Sequence, residues 1–461
     1  MRVNMQSRRE FLITGLGIGI SALLRPIATN AGTTNMAKLR AGAGRANIVF
    51  SDDLYPLDGF VGEHDPLAAR VLLLDDGSKR MCVTVIDLTS IPEEIITAMK
   101  SLLTAITGVP AENAIICASH TFSTPHVFSA GEAPPGTDTA RNDAMRSAFE
   151  TALRIAATQA IATLQPARLG FGSGTSRVNI NRDAPTSHGW WLGANEAGFT
   201  DPFLGVLRVD SLDGKPLAIL MNFSVQSSIT DGSQRETGGR LISADLAGAA
   251  ARYVETHYGS DAVALFLVGA AGDQAPYLQA NRHVVNEDGS VGQIDLHEAG
   301  LILVDLLGER LGADVVRVAR HIVMEPATAL DIRRESVEVT SQDFSPSNKP
   351  VGPVSAFDYK IGEKQTVPVV LIRIGDMALV GMQPELAASI GAQIRADSPY
   401  RQTLVATMVD GAAKYMPDSQ SYDRFTYEAR SSPYAKGAAE AAAAAIISKL
   451  KQMDTSKTKE D

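Results

Sequence analysis

The chain reads as an α/β protein with mixed β-sheets and flanking helices, and three observations predict this. Apolar runs of strand length alternate with amphipathic helical segments along most of the sequence, the pattern of sheets covered by helices. Some of those runs are joined directly by turn signals, Asp75-Asp76-Gly77 and Asp213-Gly214, so hairpins stand beside crossover connections. The composition, 45% hydrophobic and 20% charged over 461 residues, is that of a globular protein with one large or two medium domains.

After residue 40, "AARVLLLDD" and "RMCVTVIDL" read as strands, and "PEEIITAMKSLLTAIT" reads as a helix with proline at its start. "AIICASH" is the next strand, followed by the long Ala-rich helix "ARNDAMRSAFETALRIAATQAIATL". "LGVLRVDSLDGKPLAILMNFSV" is a hairpin, "SADLAGAAARYVETHYG" a helix, and "AVALFLVGAAGDQAP" a buried strand entering a Gly-rich turn. "DLHEAGLILVDLLGERLGADVVRVAR" is helical again. Residues 335–365 are polar and contain three prolines, which predicts an excursion or a subdomain joint. "PVVLIRIGDMALVGMQPE" is a hairpin leading to Glu385, and "AKGAAEAAAAAIISKLK" closes the domain as a helix. One domain over residues 40–450 and a disordered tail over 451–461 are expected.

The N-terminal segment stands apart. Arg8-Arg9 precede an apolar run from Phe11 to Leu24, with small residues near Ala31. This is the pattern of a twin-arginine signal over residues 1–31. The run is Gly-rich and falls short of the roughly 20 residues that span a bilayer. The expectation is export by the twin-arginine machinery to a periplasmic or secreted location, with no stable transmembrane span in the mature chain. Removing residues 1–31, with their four arginines and one glutamate, moves the net charge from −10 to −13. A chain that acidic repels phosphate backbones, so nucleic acid is not an expected partner. A small-molecule or amphiphilic substrate is.

Cys82 and Cys117 lie in two apolar runs. They are read as two buried thiols, with a disulfide as the alternative in an oxidising compartment. No CxxC pair supports a thiolate zinc site. No GxGxxG opens a helix after the first strand, and neither a P-loop nor a GxSxG turn occurs.

The informative residues sit where strands end: "CASHTFSTPH", "NFSVQSS", "VGAAGDQAP" and "VGMQPE". In α/β proteins ligands gather at such ends. "RVNINRDAPTSHGWW" and the tyrosine-rich "AAKYMPDSQSYDRFTYEARSSPY" join them as candidates for one convergent site.

In this order, these segments resemble the catalytic domain of the neutral/alkaline (non-lysosomal) ceramidase family over roughly residues 40–450. The resemblance implies the family's α/β fold and an amidase-type hydrolysis. It places His120 of "SHTFS" on the first zinc histidine, Glu385 and Tyr415 on the last two zinc positions, and Arg182 of "NINR" on the substrate-orienting arginine. Tyr427 of "TYEAR" falls on a tyrosine near the site, and Asp245 of "SADLAG" on an aspartate-containing turn. The resemblance also implies departures. Phe122 stands for a catalytic histidine, Gln226 for the second zinc histidine, and Ala275 for the serine nucleophile.

Ala275 has no hydroxyl to attack with, Phe122 carries no exchangeable proton, and Gln226 is a poorer zinc ligand than imidazole. The expected chemistry is therefore attack by water on an amide or related bond. Asp273, Arg182, His126 and Tyr427 are the catalytic candidates, and Trp190, Trp191, Gln226 and Tyr422 the substrate-binding ones. Zinc on His120, Glu385 and Tyr415 is expected only with weakened affinity. His126 is read either as a replacement imidazole or as an exposed loop histidine. His64 is read either as oriented by Asp65 or as part of a cap. His257, His283, His297 and His321 are read as surface or helix histidines. A non-catalytic amphiphile- or glycan-binding protein and a lyase or isomerase are the alternative functions.

Overall fold

The strand Ala68–Asp75 shows how the molecule is layered. All eight of its residues are buried. Ala69, Val71 and Leu73 face one core, while Leu72 and Leu74 face another. Side chains alternate across a strand, so both faces of this sheet must be covered, and the near-continuous apolar sequence is the consequence. Fully burying one leucine such as Leu73 contributes about 1.5–3 kcal/mol.

The computed structural model describes residues 39–129, 131, 133–259, 261–325, 329–345 and 349–460. The twin-arginine segment lies outside the described residues. The described chain falls in one compact unit. No helix among the described residues is long and apolar enough to cross a membrane.

An eight-stranded sheet runs in the order Val263–Val268, Pro216–Phe223, Phe203–Ser211, Gln165–Thr175, Arg40–Asn47, Ala68–Asp75, Arg80–Ile86 and Ala114–Ala118. A second sheet of four strands is ordered Leu330–Gln342, Ile361–Ile374, Met377–Met382 and Gln402–Ala406. The helices Glu93–Thr107, Thr139–Ala162, Asp245–Tyr258 and Ile302–Ala319 cover the outer face of the large sheet through the first core. The second core fills the space between the sheets. A third core packs the smaller sheet under Ala388–Asp397 and Ala438–Glu460. The result is a helix–sheet–sheet–helix sandwich with mixed sheets.

Within these two sheets three strand pairs are parallel: Arg80–Ile86 with Ala114–Ala118, Pro216–Phe223 with Val263–Val268, and Met377–Met382 with Gln402–Ala406. Each pair is joined through a helix, as parallel pairing requires. Their C-terminal ends are stitched together across the two sheets. The amide of Asn222 donates to the Leu267 and Val405 carbonyls, both at 3.0 Å, and the Thr407 N–H donates to Val268 O at 3.0 Å. This end of the sandwich carries the site.

Two expectations are corrected. Residues 335–342 and 361–365 belong to a strand pair, and the expected excursion is confined to the connection between them: Leu330–Gln342 and Ile361–Ile374 pair antiparallel over their length, from Leu330 opposite Ile374 to Gln342 opposite Ile361. Val337, Val339, Val367 and Val369 alternate into the third core from between polar neighbours. The alternation is that of a half-buried strand, masked in the sequence by the prolines of the connecting loop. The last helix runs to Glu460, through the stretch expected to be disordered. Cys82 and Cys117 are both free and buried. They belong to different cores on opposite faces of the sheet, which rules out pairing. Burial pushes the Cys82 thiol up to about 12.

Candidate active site

His120 lies two residues beyond the strand Ala114–Ala118, in the left-handed region at φ 61°. For a side chain with a Cβ this costs on the order of 1 kcal/mol, and tertiary bonds hold it. One ring nitrogen, Nδ1, meets the Thr89 carbonyl at 2.7 Å. The other, Nε2, meets Glu385 Oε2 at 3.0 Å. Two of the four hydroxyls of "SHTFST" fasten this loop, while those of Ser119 and Thr124 are buried without a partner. Thr121 Oγ1 donates to Ser243 O at 2.8 Å, and Ser123 Oγ pairs with Thr230 Oγ1 at 2.7 Å. Asp245, fully buried, fixes the other side by accepting from the Ile229 and Thr230 amides and the Thr230 hydroxyl.

Glu385 follows the strand Met377–Met382 and pairs in register with Tyr415. Gln226 follows Pro216–Phe223, and Asp273 follows Val263–Val268. The Gly-rich turn of Asp273 packs on the backbone of Glu385. A Cβ at Gly272 would meet the Glu385 carbonyl at 2.7 Å, so that position admits only glycine. Arg182 comes from the strand Asn179–Thr186, which pairs antiparallel with Gln274–Pro276.

These residues form one chain of hydrogen bonds. Gln226 Nε2 donates to Glu385 Oε2 at 2.7 Å, and Gln226 Oε1 accepts from Arg182 Nη1 at 2.6 Å. Arg182 also lies against Glu428 Oε1, with Nε at 2.7 Å and Nη2 at 2.6 Å. Its guanidinium stands 5.1 Å from the centre of the Tyr415 ring and 5.9 Å from that of Tyr427. Tyr427 meets Trp191 edge-on at 5.7 Å.

Burial alone would push the His120 imidazole down, but the Glu385 charge, its hydrogen bond and the Thr89 carbonyl hold it above its ordinary value. Burial likewise favours a neutral Glu385, yet the His120 and Arg182 charges and the Gln226 amide hold that carboxyl below its ordinary value. Each thus favours the charged form of the other. Burial pushes the Asp273 carboxyl up to about 7, against hydrogen bonds that draw it down and with help from the Asp418 and Glu428 charges. Its oxygens accept from the Ala388 N–H at 2.8 Å and the Asn181 amide at 3.1 Å. Burial and the neighbouring Glu428 and Asp273 charges raise Asp183 well above its ordinary range. Burial and the Glu385 charge raise the Tyr415 phenol, which stays protonated.

The donors expected to hold zinc are committed to one another. His120 and Glu385 share a hydrogen bond, Tyr415 is a neutral phenol, and Gln226 presents its NH2 group to Glu385. Turning the Gln226 amide to offer oxygen would set its NH2 group against the Arg182 guanidinium, donor against donor. Among the described residues no three His, Cys, Asp or Glu side chains are gathered to hold a metal ion. One imidazole, one carboxylate, a phenol and an averted amide, next to a fixed cation, do not fit a tetrahedral zinc site.

Of the sequence-predicted residues, His120, Arg182, Gln226, Glu385, Tyr415, Tyr427 and Trp191 converge, with Asp273 behind Arg182 through Asn181. His126 does not join them. It is exposed, with Nδ1 on the Asp58 carboxylate at 2.7 Å. Tyr422 is buried and donates its hydroxyl to the Tyr434 carbonyl at 2.5 Å, a packing role. Trp190 and Trp191 are adjacent on a strand and diverge: Trp191 turns inward, while the Arg424 guanidinium covers Trp190 at 4.5 Å. Asp65 of "EHDP" accepts from the Ala244 N–H at 3.1 Å and from Arg252 at 2.6 Å. Its role is to hold the turn that opens the helix Asp245–Tyr258. Ala275 is buried opposite Ile180.

The sequence reading missed three groups. Glu428 is the counter-charge of Arg182, although it lies beside Tyr427 in "TYEAR". Asp183 follows Arg182 directly. His283, read as a surface histidine, stands edge-on to Trp191 at 6.3 Å. A single histidine between Asn281-Arg282 and Val284-Val285 carried no signal.

No family model matches the sequence, and no curated protein does. Among solved structures, the chain is similar to neutral ceramidase from Pseudomonas aeruginosa. The TM-score is 0.68, with 20% identity, over 89% of this chain and 74% of that one. The fold is that of neutral ceramidase. A ceramidase complexed with C2 is similar to the same extent. The ceramidase-like fold thus holds here with an alanine, a phenylalanine and a glutamine at positions 275, 122 and 226.

Proposed function

We propose that the protein is a hydrolase that cleaves an amide or related bond by direct attack of water, with no covalent enzyme intermediate and no resident metal. The observation that carries this reading is Asp273. It is a buried carboxyl poised at about 7, set beside a charged His120–Glu385–Gln226–Arg182 network where three parallel strand pairs end. A general base is most effective with its pKa near the working pH. Asp273 takes the proton of the attacking water. Arg182, fixed by Gln226 and Glu428, faces the developing oxyanion. The His120 imidazolium, kept charged by Glu385, returns a proton to the leaving amine. Ala275 supplies no nucleophile, and Phe122, packed edge-on to His120 at 4.7 Å, supplies no base.

The test is hydrolysis of a panel of fluorogenic N-acyl amides and esters by the full chain and by Asp273→Asn. The reading expects turnover that falls by about 10²–10⁴-fold in the variant. Tight binding of the same compounds without turnover in the wild type would instead establish the binding-protein alternative.

A further inference from the structure

Around Trp191 the structure gathers a buried guanidinium and two ring nitrogens that lack hydrogen-bond partners. Trp191 is 3% exposed, and its Nε1–H, which can only donate, has no partner. His283 touches the Trp191 ring and leaves Nδ1 buried without a partner. Arg430 lies over Trp191 with its guanidinium carbon 5.5 Å from the ring centre. Arg430 is only 6% exposed, and its hydrogen bonds go to backbone carbonyls: Gly352 O at 2.9 Å and Thr426 O at 3.4 Å. Among the described residues neither Arg430 nor Lys349 has a carboxylate within ion-pair distance. The groups that act on Arg430 against its burial are the Tyr359 phenol, Glu428 and the Tyr427 phenol, and Glu428 is bonded to Arg182 through Oε1. Burial therefore wins at Arg430 and draws its guanidinium below the ordinary value. Burial, Arg182 and Lys349 likewise draw His283 down and keep it neutral. An uncompensated buried cation and two unpaired buried ring nitrogens each cost free energy that a bound anion would recover.

We propose that Arg430, Trp191 Nε1 and His283 form an anionic subsite that takes a carboxylate on the leaving portion of the substrate, making N-acylated amino acids the substrate class. This rests on the amide-hydrolase reading above. A planar carboxylate suits the set, because Arg430 Nη1 makes no hydrogen bond among the described residues and a guanidinium recognises that group edge to edge. The exposed Lys349, whose charge acts on His283, adds attraction.

The test is calorimetric titration of the full chain with N-decanoylglycine and with N-decanoylethanolamine, which replaces the carboxylate by a hydroxymethyl group. The carboxylate compound is expected to bind at least about tenfold tighter, the worth of one charge-assisted hydrogen bond. That ratio is expected to collapse toward unity in Arg430→Gln. Should Arg430→Gln not fold by circular dichroism, Trp191→Phe and His283→Gln carry the same expectation with smaller losses. Equal binding of the two compounds to the wild type overturns the subsite and leaves the amide reading standing. So does a preference that survives all three variants, since the charge then sits on Arg182. If neither compound binds at about 1 mM, weaker than about −4 kcal/mol, the amide reading falls and the subsite with it.

Discussion

Arg182 and Glu428 form a buried ion pair in which two guanidinium nitrogens lie within 2.7 Å of a single carboxylate oxygen, Oε1. The other oxygen, Oε2, is buried without a donor in hydrogen-bonding position. Burial and the Glu428 charge raise the carboxyl of its neighbour Asp183 well above the ordinary range. The buried centre thus sets one guanidinium against one carboxylate, with a carboxyl that favours its protonated form beside them.

This balance predicts opposite outcomes for two similar substitutions. Glu428→Gln leaves Arg182 buried without a counter-charge and should cost about 3–5 kcal/mol. Asp183→Asn replaces a protonated acid by a neutral amide that can still donate to Glu428, and should cost less than about 1.5 kcal/mol. Urea unfolding of both variants measures the difference. Equal losses would show that Asp183 is ionised.

Stability and activity should respond to pH in opposite directions. His120 is raised above its ordinary 6.5, so its contribution is complete below 6.5 and is lost as pH rises through the raised value. Glu385 is held below its ordinary 4.5, so its contribution is present above 4.5 and is lost as pH falls through the lowered value. Asp273, raised from 3.8 to about 7, stabilises at low pH and loses that contribution across the interval between the two values. Melting temperature should therefore be highest near pH 4.5, where His120 and Glu385 contribute fully, and decline toward alkaline pH. The rate should rise through pH about 7 as Asp273 ionises. A melting temperature that climbs steadily from pH 5 to pH 8 contradicts these assignments.

In the metal-free reading proposed above, Gln226 is the group that turns this centre away from metal. Replacing it by Gln226→His adds a second imidazole beside His120 and Glu385, while the bond to Arg182 Nη1 is lost. Zinc affinity should rise by at least about tenfold, in keeping with the preference of zinc for imidazole over amide ligands. Zinc titration followed by calorimetry reads it. Tight zinc binding by the wild type at the start of that comparison would overturn the reading of the donor set.

Ala275→Ser should not create a faster enzyme. The new hydroxyl would have no imidazole to take its proton, because the ring beside His120 is Phe122. The rate should stay within about threefold of wild type, since an unassisted hydroxyl is a weak nucleophile. Burst kinetics with an acyl-enzyme detectable by mass spectrometry would argue for a silenced serine mechanism.

Much of this architecture was legible in the sequence because burial on both faces writes itself as continuous apolar runs. "RVLLL", "VTVI" and "ALFLV" admit little else. The site was legible for a related reason, since polar clusters directly after such runs fall at strand ends. Among the strands that escaped notice, Gln165–Thr175 carries glycines because Val318, Ile322 and Val323 pack within 2.7 Å of where a Cβ would stand, and Leu330–Gln342 carries charges on its less buried face. Side-chain direction also stayed hidden. His126 and Tyr422 sit in the right segments but turn outward and into the core, respectively. Glu428 could be placed opposite Arg182 only once the distant segments had been brought together.

The central claim is that Asp273 drives water attack without a metal. It is tested most directly by dialysing the full-length protein against a chelator, confirming metal removal by elemental analysis, and measuring the pH dependence of N-acyl amide hydrolysis beside Asp273→Asn. The account predicts full activity in the metal-free protein, rising with an apparent pKa of about 7 and lost in the variant. Activity that disappears with the metal and returns with zinc, or that survives Asp273→Asn unchanged, would contradict it.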